Sequence, residues 1–344
     1  MFKRIIFSLM LLMSCQAYAS EKMHIFYGTD KGYIVHTGVS IASVLLNADK
    51  QQEFSFYILT DKSVTPEIRE QFKELQKIKA HSLVFIDVDE ERFSNLNRYK
   101  GSLGTYYRFL IPLVSREDKV LYLDGDTIIR GNLRGLWNTN ISDMYLAGIP
   151  DYPEGRVLNA MNVLKLNRYF NAGVLLFNLK KIREDGLSDR FFHTMNTIPN
   201  VNGWGDQNVI NYLFAGKIAP LSQKYNWYER FGFNGDAIIA HFIDGKPWRT
   251  ISSYAKEYWE IRQKTPWALS EEKIVLSNMM QLPQWKEYFL YTDTQTICPE
   301  WNRNLKCFKV IEKTEKTLKL LQYDTNRQEV YELKDDGIWS YMPH

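Results

Sequence analysis

Two aspartates separated by a single glycine, Asp124 and Asp126, follow directly on the apolar run Lys119-Val120-Leu121-Tyr122-Leu123. The run has strand character, and residues i and i+2 of an extended segment point to the same side. Both carboxylates can therefore aim at one point just beyond the end of the strand. In open α/β sheets, that is where ligands bind. Two hard oxygen donors with room for water suit Mg²⁺ or Mn²⁺, ions that commonly bridge protein carboxylates to substrate phosphates. One reading of the segment is thus a metal–diphosphate site. The other is a plain polar turn after a buried strand, because Asp-Gly is a common turn pair. Asp30 offers a further carboxylate, at the end of the strand-like run His24-Ile25-Phe26-Tyr27.

The elements around these residues alternate. Met23 to Tyr27, Phe54 to Leu59, Leu83 to Val88 and Val120 to Leu123 read as strands. Between them, Val35 to Ala48 has helical periodicity, Thr65-Pro66-Glu67 opens a second helix with Pro in its first turn, and Tyr106 to Leu113 is a short apolar helix ending near Pro112. Alternation at this spacing predicts an α/β fold with a mostly parallel sheet and helices on both faces. Asp30 then ends the first strand and Asp124 the fourth, and both line one crevice. Further on, Met144 to Ile149 and Ala237 to Phe242 read as strands, Val157 to Leu166 and Ile251 to Arg262 as helices. The helix Gln207 to Phe214 has Asp206 placed as its N-cap. Beyond Trp267 the composition shifts to alternating β-type segments with an Asp335-Asp336-Gly337 turn. This predicts a small C-terminal β-rich appendage over residues 267–344, following a main domain over 20–266.

The chain is 344 residues long, 45% hydrophobic and 24% charged, enough for one large domain with additions. A net charge of +3 with no basic run gives no footing for nucleic acid. Residues 1–19 combine the basic start Met1-Phe2-Lys3-Arg4, the apolar run Ile5 to Met13 and an Ala17-Tyr18-Ala19 site. That is the pattern of a secretory signal peptide cleaved after Ala19. It predicts export to the periplasm, the medium or a secretory lumen. An uncleaved membrane anchor and a lipidated Cys15 are the alternatives, and peripheral contact with a membrane is compatible with either. After cleavage, Cys298 and Cys307 remain, and they either pair in the oxidising compartment or stay as two free thiols.

Several separated blocks share an order with one known family: Thr29-Asp30-Lys31-Gly32-Tyr33, Thr105-Tyr106-Tyr107-Arg108, Asp124-Gly125-Asp126, Asn171-Ala172-Gly173, Asp206-Gln207, and His241 with Lys246-Pro247-Trp248. Over about Met23 to Trp267 the chain resembles family 8 glycosyltransferases, retaining enzymes that include bacterial lipopolysaccharide galactosyl- and glucosyltransferases. The resemblance implies a GT-A, Rossmann-like fold and transfer of a hexose from a UDP-sugar to a saccharide or glycolipid acceptor. It implies that Asp124, Asp126 and His241 bind Mn²⁺ or Mg²⁺, and that Lys246 meets the diphosphate with Gly245 allowing close approach. Asp30 and Tyr33 are implied to hold the uracil, and Arg108, Asp151, Asn171, Ala172 and Asp206 the donor sugar. Gln207 is placed beside the anomeric carbon. Two positions depart from the family pattern: Gly32 stands where Asn is frequent, and the spacing from His241 to Lys246 is short.

Two rival readings keep parts of this pattern. In haloacid-dehalogenase-type phosphatases an apolar strand also ends in Asp-x-Asp, with the first Asp as nucleophile. A non-catalytic exported sugar- or nucleotide-binding protein is the second, suggested by an export signal on a chain whose donor is made in the cytoplasm.

Overall fold

The computed structural model describes residues 21–96, 98, 102–199, 205–228, 235–243, 245–248 and 254–268, and beyond them 271–277, 286–291, 296–299, 308–322, 328–333 and 338–342. The first strand, β1 (Met23–Thr29), is largely buried along its length. Burial on both faces is the mark of a parallel strand covered by helices. Ile25 and Tyr27 face a core shared with Val39, Ala42 and Leu45 of the helix Ile34–Leu46. Phe26, one residue out of phase, faces a second core with Tyr106, Tyr107, Phe109 and Val209. The two-residue period of the strand thus feeds two helical layers.

The strands β2 (Phe54–Thr60), β3 (Ser82–Asp87), β4 (Lys119–Leu123), β5 (Thr127–Ile129), β6 (Leu146–Pro150), β7 (Phe170–Asn178), β8 (Ile218–Pro220) and β9 (Ile239–His241) follow. Among the described residues, seven of these nine form one sheet in the order β3-β2-β1-β4-β7-β6-β8. Its pairings are parallel except at β7, which runs against β4 and β6. This is the mostly parallel sheet expected. The chain winds outward from β1 to β3 and then returns to lay β4 on the other side of β1. That reversal is a topological switch point, and a crevice opens at the C-terminal ends of β1 and β4. β5 and β9 form a separate two-stranded antiparallel sheet.

Three local expectations need correction. The stretch read as one helix over Tyr106 to Leu113 is a 3₁₀ helix, Gly104–Leu110, followed by a short α-helix, Ile111–Val114. Pro112 has no N–H to offer the carbonyl of Arg108, which is taken instead by Ile111 N–H in the tighter pattern. The helix near Gln207 begins at Gly205, so Asp206 lies inside its first turn and is not the N-cap. Asp124 and Asp126 lie in a turn between β4 and β5 and do not extend the strand.

Among the described residues, the C-terminal part is a closed barrel of seven strands: β10 (Glu271–Ser277), β11 (Lys286–Tyr291), β12 (Thr296–Pro299), β13 (Phe308–Lys313), β14 (Thr317–Gln322), β15 (Gln328–Leu333) and β16 (Ile338–Met342). Neighbours in sequence pair antiparallel throughout. With an odd number of strands the first and last run the same way, so the closing pair β10–β16 is parallel. Phe308 and Val310 are buried and alternate with exposed Lys309 and Ile311, as one-sided strands require. Closure leaves this small sheet without a free edge.

The signal segment 1–19 with Cys15, the turn at 335–337, and Cys307 of the Cys298–Cys307 pair lie outside the described residues. Among the described residues no helix is long and apolar enough to cross a membrane.

Candidate active site

The turn after β4 brings the two carboxylates together by a route the strand pattern did not anticipate. Asp124 N–H still pairs with Gly173 O of β7 at 2.8 Å, which holds the start of the turn in the sheet. Gly125 then passes so close to the helix Ile34–Leu46 that a Cβ there would lie 2.4 Å from Thr37 Oγ1. β5 leaves the turn and pairs with β9, setting Thr127 opposite His241. Phe242 N–H closes the arrangement by donating to Asp126 O at 2.9 Å. A histidine more than a hundred residues away in sequence is thereby delivered to the aspartates.

Asp124 is held from the core side. Its Oδ1 accepts from Tyr122 OH at 2.7 Å and from Arg108 Nη2 at 2.9 Å. Burial pushes the Tyr122 phenol well above its usual value, so the hydroxyl stays a donor. Arg108 is 3% exposed and stacks over the Tyr122 ring. It donates from Nε to Thr105 O at 2.8 Å and from Nη1 to Ala172 O, and its Nη2 also lies 3.3 Å from Asp206 Oδ2. Burial opposes its charge, but the Asp124 and Asp206 carboxylates more than offset this and keep it ionised. Asp124 Oδ2 is left facing His241 Nε2 at 3.6 Å.

Asp126 is held from the opposite side. His241 Nε2 lies 3.2 Å from its Oδ1, and Lys246 Nζ pairs with its Oδ2 while also donating to Phe242 O. Burial disfavours the Asp126 charge, yet the Lys246 ammonium beside it outweighs this and holds the carboxyl far below the usual range. Burial also works against the Lys246 ammonium, and Asp126 raises it above its ordinary value. The short spacing from His241 to Lys246 therefore still brings the lysine to the carboxylates.

Around this centre runs a cleft of about 1290 Å³. Every residue to which the resemblance gives a site role lines it except Gly245, which is buried in the loop before Lys246. Asp30 Oδ1 accepts Gly32 N–H at 2.8 Å, and Tyr33 flanks the first turn of the helix Ile34–Leu46. The Tyr33 ring meets Trp248 edge-on with centroids 5.9 Å apart, and Trp248 in turn stacks on His36 at 3.4 Å. Across the cleft, Asp206 Oδ2 accepts from Thr105 Oγ1 at 2.7 Å. Gln207 Oε1 accepts Ala172 N–H at 3.1 Å, and its Nε2 faces Asp151 Oδ2 at 3.5 Å. Asp151 Oδ1 also accepts from Tyr228 OH. Asn171 Oδ1 accepts Gly173 N–H at 2.9 Å and Asn226 Nδ2 at 2.8 Å.

Thr105, Tyr122, Tyr228 and Asn226 were not singled out as site residues from the sequence. Tyr122 had a usable signal, standing two residues before Asp124 in the same strand. Asn226 had none, since it sits in an aromatic stretch with no motif around it.

One ligand atom from each of Asp124, Asp126 and His241 can be chosen so that all lie within 4.8 Å of one another. Two carboxylate oxygens and an imidazole nitrogen suit a divalent cation of the Mn²⁺ or Mg²⁺ type. These three side chains put a candidate cation site at the switch point of a mostly parallel sheet, where open α/β sheets bind their ligands.

The comparisons agree. Residues 24–252 match the model of glycosyl transferase family 8, and the chain belongs to that family. A Haemophilus influenzae protein is 30% identical over 214 residues, 60% of this chain and 64% of its own length. The lipopolysaccharide 1,3-galactosyltransferase of Salmonella typhimurium is 27% identical, covering 72% of this chain and 80% of its own. The galactosyltransferase LgtC, solved in complex with donor and acceptor sugar analogues, is 25% identical with a TM-score of 0.59 over 71% of this chain and 96% of LgtC. These relatives support a hexosyltransferase, and the family implies a nucleotide-sugar donor and a saccharide acceptor. The phosphatase and the non-catalytic binding protein are set aside as readings. The first fails also on position, because the paired carboxylates follow the fourth strand and share their centre with His241.

Proposed function

We propose that the chain transfers glucose or galactose from a UDP-sugar to a saccharide acceptor, with retention at the anomeric carbon and dependence on Mn²⁺ or Mg²⁺. The observation that carries this reading is the convergence of Asp124, Asp126, His241 and Lys246 at the end of β4. The first three would hold a cation, which when bound would supply Lewis-acid neutralisation of the departing diphosphate. Lys246 is a fixed ammonium at the same point, suited to stabilise the same charge. Tyr33 and Asp30 line the cleft beside the first helix, where an aromatic face and a carboxylate acceptor suit a uracil base. Asp151, Asn171, Ala172 and Asp206 line the part of the cleft where a hexose would be oriented, which lowers the entropic part of the barrier.

Gln207 bears on the route. Its carbonyl oxygen accepts Ala172 N–H, and an amide is a feeble nucleophile. A front-side attack, with the acceptor hydroxyl entering beside the leaving phosphate, fits this arrangement better than a covalent intermediate on Gln207.

The relatives named as lipopolysaccharide galactosyl- and glucosyltransferases make lipopolysaccharide, or another surface glycan, the acceptor class to try first. The test is a panel of UDP-hexoses with Mn²⁺ and truncated lipopolysaccharide cores, read by UDP release and by NMR of the product linkage. An α-linked product from an α-linked donor is expected. A β-linked product contradicts retention, and no UDP release from any member contradicts the donor class. Export through residues 1–19 is part of the same proposal. It predicts a mature N-terminus at Ser20 by mass spectrometry, and an intact Met1 or a lipid on Cys15 contradicts it.

A further inference from the structure

We infer that Asn226 is a positioning residue that fixes the tautomer of His241 and so makes Nε2 available as a cation ligand. The inference rests on the metal reading above and deepens it. It follows from a chain of hydrogen bonds whose polarity is set at one end by a backbone group. Gly173 N–H can only donate, so the atom of Asn171 that it meets at 2.9 Å is the amide oxygen. That same oxygen lies 2.8 Å from the Asn226 side chain, which must therefore present its NH₂. The remaining atom of Asn226 is its oxygen, and it lies 2.9 Å from His241 Nδ1. An oxygen acceptor requires the proton on Nδ1. In the neutral ring, the form that can ligate a cation, Nε2 then carries a lone pair, directed at the side where Asp126 Oδ1 and Asp124 Oδ2 stand 3.2 and 3.6 Å away.

The opposite tautomer has its own advocate. Carboxylates facing Nε2 favour a proton there, because Nε2–H can donate to them. A ring protonated at Nε2 is no longer a ligand at that atom. Asn226 tips the contest toward Nδ1 by offering it an acceptor inside the protein, and it keeps the proton there when a cation takes Nε2. It is placed to do so: it is 0% exposed, and the residues around it are tied to β9. Trp227 N–H donates to Ile239 O at 2.9 Å, and His241 N–H donates to Trp227 O at 2.7 Å. Histidine ligands generally owe their tautomer to such a partner on the other ring nitrogen. Here the partner is a neutral amide, and its own direction traces back to the backbone of Gly173. The Asn171-Ala172-Gly173 block thus serves the cation centre as well as lining the cleft. Gly173 is constrained for a second reason, since a Cβ there would lie 2.2 Å from His241 Cε1.

The test is ¹⁵N NMR of the full chain with labelled histidine after EDTA treatment, with His241 identified by its loss in His241→Gln. The spectra are read at a pH where the ring is neutral, and the expected wild-type ring is then protonated at Nδ1 and bare at Nε2. In Asn226→Ala the proton moves to Nε2, and Mn²⁺ affinity by calorimetry falls about 10- to 100-fold. Asn226→Asp restores an acceptor to Nδ1, keeps the wild-type tautomer and binds Mn²⁺ more tightly than the alanine variant. A neutral wild-type ring protonated at Nε2 and not at Nδ1 overturns the inference and needs no variant to fold. An unchanged tautomer and affinity in Asn226→Ala overturns it as well. A wild-type ring protonated at Nδ1 in a protein that binds no Mn²⁺ overturns the metal reading and leaves the relay standing.

Discussion

Asp124 and Asp126 are two residues apart, yet the regions that hold them are built on different plans. Asp124 belongs to the large sheet. Its partners Tyr122, Arg108 and Gly173 come from β4, the 3₁₀ helix Gly104–Leu110 and β7, all packed into the main cores. Asp126 belongs to the small two-stranded sheet and the loop after it. Its partners His241 and Lys246 come from 115 and 120 residues further along the chain. The first carboxylate is therefore part of the fold's own framework. The second is completed only when a distant strand and loop arrive. The contrast predicts that changes on the Asp124 side act mainly on stability, and changes on the Asp126 side mainly on cation and donor binding.

The largest expected effect is on the Asp126 side. Asp126→Ala should lower transfer on the order of 1000-fold, because a bound cation contributes several kcal/mol of charge stabilisation. Steady-state rates across a Mn²⁺ titration check this, and recovery at high Mn²⁺ would mean that Asp126 is not an essential ligand. Next comes Arg108→Met. It leaves Asp124 and Asp206 without their shared buried partner and should cost about 3–5 kcal/mol in urea unfolding. Lys246→Met should cost less, because it unpairs one carboxylate where Arg108→Met unpairs two. It should also tighten Mn²⁺ binding in the absence of nucleotide, since one positive charge no longer competes for Asp126. Equal stability losses in the two variants would break the contrast.

Gly173→Ala tests the point where the two regions touch. The added Cβ would also lie 2.8 Å from Asp124 Oδ2, so the ring and the carboxylate must both give way. A loss of about 1–3 kcal/mol, together with weaker Mn²⁺ binding, is expected from overpacking at such a position. The smallest effect belongs to Tyr122→Phe. It removes one of two donors to Asp124 Oδ1 and should cost about 1 kcal/mol, with Mn²⁺ affinity nearly unchanged because Arg108 still holds that oxygen.

The same division marks what the sequence makes legible. β1 to β4 and the carboxylates at the ends of β1 and β4 can be read directly, because local apolar runs and their turn residues are what the alternating sheet is made from. The Asp126 side is legible only as separated blocks, since nothing local in Thr127–Ile129 or Ile239–His241 announces that they pair. Asp206 looks like a helix cap, because Asp before a helical run is the usual cap signal. In the fold its carboxylate is taken by Thr105 and Arg108 from another element. The helix around Arg108 is misread for a subtler reason. Apolar spacing does not register that Pro112 removes one N–H and tightens the turn before it. Asn226 is invisible for the plainest reason: its function consists of two side-chain hydrogen bonds to residues 55 positions before and 15 positions after it.

The most direct test of the central claim is calorimetry of UDP binding, with Mn²⁺ and again with EDTA, in the wild type and in His241→Ala. The cation centre predicts binding that requires Mn²⁺ and is lost or strongly weakened in the variant. UDP binding of equal strength with EDTA and in His241→Ala would contradict the claim that Asp124, Asp126 and His241 hold the donor through a cation.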